Sequence, residues 1–136
     1  MKAPMVIDCH GHYTTAPKAL EGWRAKQVEA LPARLAPPSP TDLSITDDAL
    51  RESLENAQLR LQRERGTDLT IFSPRAMAMS HHLGTAQTSE DWTRLCNDMI
   101  QRVCTLYPRN FAPVCQLPQS PGVPPANCIP ELERCV

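Results

Sequence analysis

The sequence predicts an α/β protein built on a parallel sheet, and two regularities support this fold class. Short apolar runs of strand length alternate three times with longer segments whose apolar residues recur at helical spacing. Such alternation favours right-handed βαβ connections, which make neighbouring strands parallel. Polar residues that can bind ligands follow the apolar runs, at the edge where parallel sheets carry their functional sites.

Three apolar runs are predicted as strands. Residues 5–10 and 68–74 are rich in β-branched or aromatic side chains, and residues 110–118 form a third run that Pro113 weakens. Each has the length of a strand in a parallel sheet, so we expect each to be buried.

Helices are predicted between and after these strands. Residues 47–65 carry a stripe of Leu50, Leu54, Ala57 and Leu61, with Thr46 as N-cap and Gly66 as the stop. A second periodic stripe predicts a helix over 90–106, capped by Ser89. A shorter helix is expected over 17–31, and the chain ends in another that begins near Ile129.

Composition excludes several classes of protein. The 136 residues include 14 Lys and Arg against 15 Asp and Glu, which gives a net charge of -1. Because no basic stripe is present, nucleic acid is not an expected partner. Neither an apolar segment of membrane-spanning length nor a signal-peptide core is evident. We expect a cytoplasmic protein with a small-molecule ligand, and a homo-oligomer remains an open option.

Six cysteines occur, at positions 9, 96, 104, 115, 128 and 135. No Cys-x-x-Cys pair is present, which argues against a zinc knuckle or a redox motif. In a reducing compartment these thiols stay free, so a disulfide scaffold is not expected.

The first predicted strand ends in a His-x-His motif, His10 and His12. Residues two apart in an extended segment point to the same side, so both imidazoles can face one space at the mouth of the sheet. Two imidazoles suit a divalent metal such as zinc. By the same alternation Cys9 points the other way and is expected to pack in the core. Asp8 could fix a histidine tautomer or serve a local turn.

Other polar residues follow the second and third strands. Arg75 has the planar fork that binds carboxylates, although a surface salt bridge explains it equally well. One of His81 and His82 could donate to a substrate. After the third strand, Gln119 and Ser120 could donate as well, although an ordinary loop accounts for both.

Several segments together resemble the 4-oxalomesaconate hydratases. The resemblance covers nearly the whole chain in order and is far more specific than His-x-His alone. Its segments are residues 7–20, 58–61, 65–76, 117–123 and 128–136.

These hydratases belong to the amidohydrolase superfamily, in the branch that also holds metal-dependent decarboxylases of the aminocarboxymuconate type. The resemblance implies a (β/α)8 barrel with zinc at its mouth. It also implies hydration of 4-oxalomesaconate to 4-carboxy-4-hydroxy-2-oxoadipate during breakdown of protocatechuate- or gallate-type acids. His10 and His12 match the first two metal ligands. By position, Arg75 is the first candidate to hold a substrate carboxylate, with Ser73 and His82 as further candidates.

The chain is short for this fold. A complete barrel takes ~250 residues, so residues 1–136 are expected to form its N-terminal portion, about three βα units, truncated at the C-terminus. The general acid and base are then expected outside the chain. Two alternatives remain: a decarboxylase or hydrolase of the same branch, and an inactive truncated α/β module.

Overall fold

A computed structural model describes residues 4–33, 35–75 and 79–136. Its sheet has three parallel strands, β1 (Ile7–His12), β2 (Leu69–Ser73) and β3 (Phe111–Pro113), in the order β1-β2-β3. Helices occupy the connections, so the predicted α/β class with three βα units is confirmed.

Five helices complete the described part of the chain. Helix α1 (Lys18–Ala33) follows β1, and α2 (Asp47–Glu55) with α3 (Gln58–Arg65) precede β2. Helix α4 (Ala86–Leu106) joins β2 to β3, and α5 (Ile129–Cys135) lies near the end as predicted. Two single 3₁₀ turns, Pro40–Asp42 and Pro125–Cys128, fall in the proline-rich connections.

The prediction of a single helix over 47–65 is wrong, because the helix ends at Glu55 and a second helix begins at Gln58. Ala57 adopts φ −128° and ψ −97°, outside the helical region. The break rotates the second half, so the buried positions after Leu54 are Leu59 and Gln62 rather than those of the predicted stripe. It also lets Gln58 begin a new helix beside the end of β1.

Helix α4 begins four residues earlier than predicted. Its N-cap is Thr85, whose hydroxyl accepts a hydrogen bond from the Thr88 backbone N–H at 3.3 Å. Gly84 precedes the cap at φ +77°, a conformation that favours glycine. Ser89 therefore lies inside the helix, where its hydroxyl is available to other elements.

The core lies between the sheet and its helices. Phe72 of β2 is fully buried and stacks on Phe111 of β3 with ring centroids 4.6 Å apart. Trp23 of α1 stacks on Trp92 of α4 at 6.2 Å. Leu50, Leu54 and Val103 are also fully buried, so three helices share one apolar core with the sheet.

Strand β1 is more exposed than the sequence predicts. Ile7 is 50% exposed, and Cys9 is exposed as well, so the expectation that Cys9 packs in the core is wrong. The cause is topological: β1 pairs with β2 on one side, and no strand of the described residues pairs with its other edge.

All six cysteines are free thiols, as predicted. Among the residues that the structure describes, no helix has the length and apolarity needed to cross a membrane.

Candidate metal and substrate site

The His10 and His12 rings meet at the C-terminal end of β1. Their Nε2 atoms are 3.1 Å apart, and the rings meet edge to face with centroids separated by 4.7 Å. The extended backbone of β1 places both side chains on one side, as the two-residue spacing predicts. We call these two residues the histidine pair.

Two groups at the end of β2, the Ser73 hydroxyl and the Pro74 carbonyl, fix the orientation of the His12 ring. Its Nδ1 lies 2.7 Å from the Ser73 hydroxyl and 3.1 Å from the Pro74 carbonyl oxygen. The Ser73 hydroxyl donates its hydrogen to the Gly11 carbonyl at 3.0 Å, and the Pro74 carbonyl can only accept. The hydrogen of His12 is therefore on Nδ1, and the lone pair of Nε2 faces His10.

This geometry fits a divalent metal ion. Two nitrogen ligands at ~2.05 Å from a tetrahedral zinc ion lie ~3.3 Å apart, close to the separation in the histidine pair. A hydrogen bond from the other ring nitrogen to a fixed oxygen is the usual support of a ligating histidine. In residues 4–33, 35–75 and 79–136, no group of three or more His, Cys, Asp or Glu side chains could hold a metal ion.

Gln58, at the start of α3, supports the end of β1. Its Nε2 donates to the His12 carbonyl at 3.4 Å, and its Oε1 accepts from the Thr15 hydroxyl at 2.6 Å. Sequence reasoning missed this role because a continuous helix over 47–65 gives Gln58 no special position. Asp8 takes the local alternative of its two predicted roles, since its carboxylate accepts from the His10 backbone N–H at 3.1 Å.

Arg75 lies just past β2. Its Nη1 is 3.6 Å from Glu21 Oε1, and both side chains are substantially exposed, so this ion pair is weak. Arg75 also borders a small apolar cavity of about 30 Å³ between α1 and α4, together with Tyr13 and Trp92. The ion pair was one of its two predicted roles, and binding of a substrate carboxylate stays a prediction.

His82 is exposed and lines a different cleft with its neighbour His81. Burial lowers the pKa of His81, and the positive charge of the nearby Arg24 guanidinium lowers it further. A hydrogen bond with the Gln119 backbone has a smaller effect in the opposite direction. Of the predicted site residues, the structure thus brings together His10, His12 and Ser73. It places Arg75 beside α1 and His82 in the second cleft.

Comparisons with known proteins identify the family of this chain. A profile of the amidohydrolase family matches residues 7–136. The chain belongs to the amidohydrolase family. Amidohydrolases are usually metal-dependent enzymes, which is consistent with the histidine pair at the strand end.

Two relatives are similar over most of this chain. It is 53% identical over 133 residues to a 2-keto-4-carboxy-3-hexenedioate hydratase from Sphingobium sp. (strain NBRC 103272 / SYK-6), covering 97% of the chain and 38% of the relative. It is 48% identical to the crystal structure of 4-oxalomesaconate hydratase LigJ from Rhodopseudomonas palustris, with a TM-score of 0.90. That match covers 97% of this chain and 39% of LigJ.

The chain therefore spans about two fifths of the length of the relatives that it matches. Its three parallel strands and their helices are consistent with the N-terminal part of a (β/α)8 barrel.

Proposed function

We propose that residues 1–136 are the N-terminal portion of a zinc-dependent hydratase that adds water to 4-oxalomesaconate and forms 4-carboxy-4-hydroxy-2-oxoadipate. The histidine pair carries the proposal, because its Nε2 atoms are 3.1 Å apart at a strand end and His12 is held in the tautomer that a metal requires. The names of the two similar hydratases support the reaction. The strands of the rest of the barrel would supply the remaining metal ligands.

The residues of this chain have separate roles in the proposed reaction. His10 and His12 hold the ion, while Ser73 and the Pro74 carbonyl keep the hydrogen of His12 on Nδ1. When bound, a zinc ion supplies Lewis acidity and lowers the pKa of a water molecule. Arg75 would hold a substrate carboxylate in place of Glu21, whose exposed ion pair is easily exchanged.

Hydration needs a proton on the carbon next to the keto group and a hydroxyl group on the next carbon of the double bond. None of the site residues described above is positioned as the general acid or base for these steps. We therefore place both roles in the part of the barrel beyond residue 136.

A fusion enzyme tests the proposal. It consists of residues 1–136 joined to the part of the Sphingobium hydratase that lies beyond the match. With zinc, it should remove the ultraviolet absorbance of 4-oxalomesaconate, whose double bond is conjugated to its keto group. Release of carbon dioxide without the hydrated product would instead indicate the decarboxylase alternative, and the hydratase proposal would be wrong.

Variants of the metal site give a graded prediction. His10→Ala and His12→Ala should abolish zinc binding and turnover, whereas Ser73→Ala should weaken zinc binding by ~10-fold because it removes only a supporting hydrogen bond. Gln87→Ala, on the exposed surface of α4, is the matched control. Calorimetric zinc titrations measure the effect independently of activity. Unchanged zinc affinity in both histidine variants would contradict the assignment of these ligands.

A further inference from the structure

A second polar cleft lies outside the histidine pair. It is wide open to solvent, has a volume of about 640 Å³ and lies between the loop after β2 and the loop after β3. Polar side chains from both loops line it, namely Ser80, His81, His82, Gln119 and Ser120. We call this site the His81 cleft. Neither the metal site nor the contacts of Arg75 account for it.

The ring of His81 is held from inside α4. The Gln119 backbone N–H donates to Ser89 Oγ at 3.1 Å, and the same oxygen lies 3.2 Å from His81 Nδ1. Because Ser89 already accepts the amide hydrogen, its own hydroxyl hydrogen can be donated to Nδ1. When Ser89 makes this donation, the hydrogen of His81 is on Nε2, and the ring offers a neutral donor. Ser89 thus joins both walls of the cleft.

A buried cation anchors the loop from the other side. Arg24 of α1 is 8% exposed, donates from Nη2 to the Met79 carbonyl at 2.7 Å and lies over the Trp92 ring at 5.2 Å. Its Nε has no hydrogen-bond partner in the described structure, and none of the ion pairs there includes Arg24. A buried guanidinium without a carboxylate partner creates a positive potential, which favours an anion nearby.

The backbone next to Met79 is constrained as well. Ser80 has φ +46°, a left-handed conformation that is uncommon for residues other than glycine. The Arg24 bond on one side and the Ser89 bond on the other hold the chain through this turn. The position of His81 is therefore set by buried contacts rather than by an unsupported loop.

We propose that the His81 cleft is a carboxylate subsite for the substrate. In it, His81 Nε2–H donates to one carboxylate, while Arg24 supplies a favourable potential. The inference rests on the proposed function, because a 4-carboxy-hexenedioate has three carboxylates, and Arg75 can hold only one of them. It moves the main donor from His82, which the sequence indicated, to its neighbour His81.

Binding to the 136-residue chain gives the first test. Propane-1,2,3-tricarboxylate is the probe, and the imidazole NMR signals of the four histidines report where it binds. The His81 signals should shift and saturate at millimolar probe, and His81→Leu should remove that response. Shifts confined to other histidines, or unaffected by His81→Leu, would overturn the subsite.

Inhibition of the fusion enzyme gives the second test. Propane-1,2,3-tricarboxylate and glutarate differ by the central carboxylate, so together they measure what one carboxylate contributes. In His81→Leu the inhibition constant of the tricarboxylate should rise ~10-fold while that of glutarate stays constant. His81→Asn, which keeps a donor, should recover part of the loss, and Gln87→Leu should change neither constant.

These outcomes separate the subsite from the proposed reaction. A fusion that binds the tricarboxylate through His81 but does not hydrate 4-oxalomesaconate would reject the reaction and retain the subsite. A fusion that hydrates the substrate with an unchanged KM in His81→Leu would reject the subsite and retain the reaction.

Discussion

Gly11 stands between the two residues of the histidine pair, where β1 runs closest to β2. A Cβ atom at this position would lie 2.2 Å from Thr70 Cγ2, and Thr70 cannot move freely because it is buried and accepts a hydrogen bond from Gln62. The register between the two strands also shifts between Asp8 and Gly11. A glycine is therefore required for the close approach that positions the histidine pair.

Gly11→Ala should destabilise the protein by about 1–3 kcal/mol, because β1 must move away from Thr70. The movement should also weaken zinc binding. Gly22→Ala is the matched control, since a Cβ there meets nothing within 4 Å and alanine stabilises a helix interior by ~1 kcal/mol. Urea unfolding of both variants checks the prediction. Equal shifts of the same sign would contradict it.

Thiol reactivity offers another prediction for single residues. Burial raises the pKa of Cys96 to about 12, against a smaller opposing effect of Arg24, and burial raises that of Cys104 to about 11. Both should stay unreacted towards a disulfide reagent at pH 8, because the thiolate is the reactive form. Exposed Cys9 should react first, and Cys9→Ser should remove this fast phase. If Cys96 reacted as fast as Cys9, the burial of Cys96 on the inner face of α4 would be contradicted.

The sequence was sufficient to predict the histidine pair, because side-chain alternation in a strand depends only on local geometry. It could not predict the supporting roles of Gln58, Ser89 and Arg24. Their contacts join positions 46, 8, 30 and 55 residues apart or depend on where a helix begins. Such contacts follow from tertiary packing, which local patterns do not contain.

Helix α5 is attached to α4 through a buried carboxylate. Glu131 is 2% exposed and accepts hydrogen bonds from Asn97 Nδ2 at 2.8 Å and from Arg134 Nη2 at 2.7 Å. Burial alone would raise the pKa of Glu131, but the hydrogen bonds from Arg134 and Asn97 outweigh it and lower the pKa overall. The charged form of Glu131 is therefore the one that holds α5 in place.

Glu131→Ala should cost about 2–3 kcal/mol, less than a fully buried pair because Arg134 remains partly in solvent. Since the folded pKa is lowered, Glu131 stabilises the fold above its unfolded pKa, and this contribution is lost as the pH falls through the folded pKa. Glu131→Gln should therefore flatten the acid limb of the stability curve. Exposed Glu133→Ala, on the same helix, should change stability by less than about 0.5 kcal/mol. Chemical unfolding across acidic pH measures all three variants.

Element boundaries were predicted less well than element types. The strands and helices all occur, but the 47–65 segment divides at Ala57 and α4 begins at Ala86 rather than at Glu90. In both places a side chain forms a hydrogen bond with another element. Gln58 donates to the end of β1, and Ser89 accepts from the loop after β3. Periodicity could not show the break at Ala57, because leucines continue at roughly helical spacing through both halves of the 47–65 segment.

At the scale of the whole molecule, the parallel sheet was predictable from the alternation of strands and helices, whereas the exposure of β1 was not. An apolar strand sequence indicates that another element covers the strand, but it does not show whether that element is part of the same 136 residues. In the described residues the second edge of β1 has no partner strand, and Met5 and Ile7 are 63% and 50% exposed. An exposed apolar edge strand is a template for pairing with another chain.

The 136-residue chain on its own should therefore self-associate through β1. Ile7→Lys should reduce this association, because a charged side chain on an edge strand opposes strand pairing. Leu35→Lys is the matched control, since Leu35 is 66% exposed but lies in the connection after α1, away from the sheet. Sedimentation velocity over a range of concentrations measures the distribution of species. In the fusion enzyme the same edge of β1 would pair with another strand of the barrel. There, Ile7→Lys should lower the free energy of unfolding instead of reducing self-association. If both the unmodified chain and Ile7→Lys stay monomeric at every concentration, the prediction of self-association through the edge of β1 is wrong.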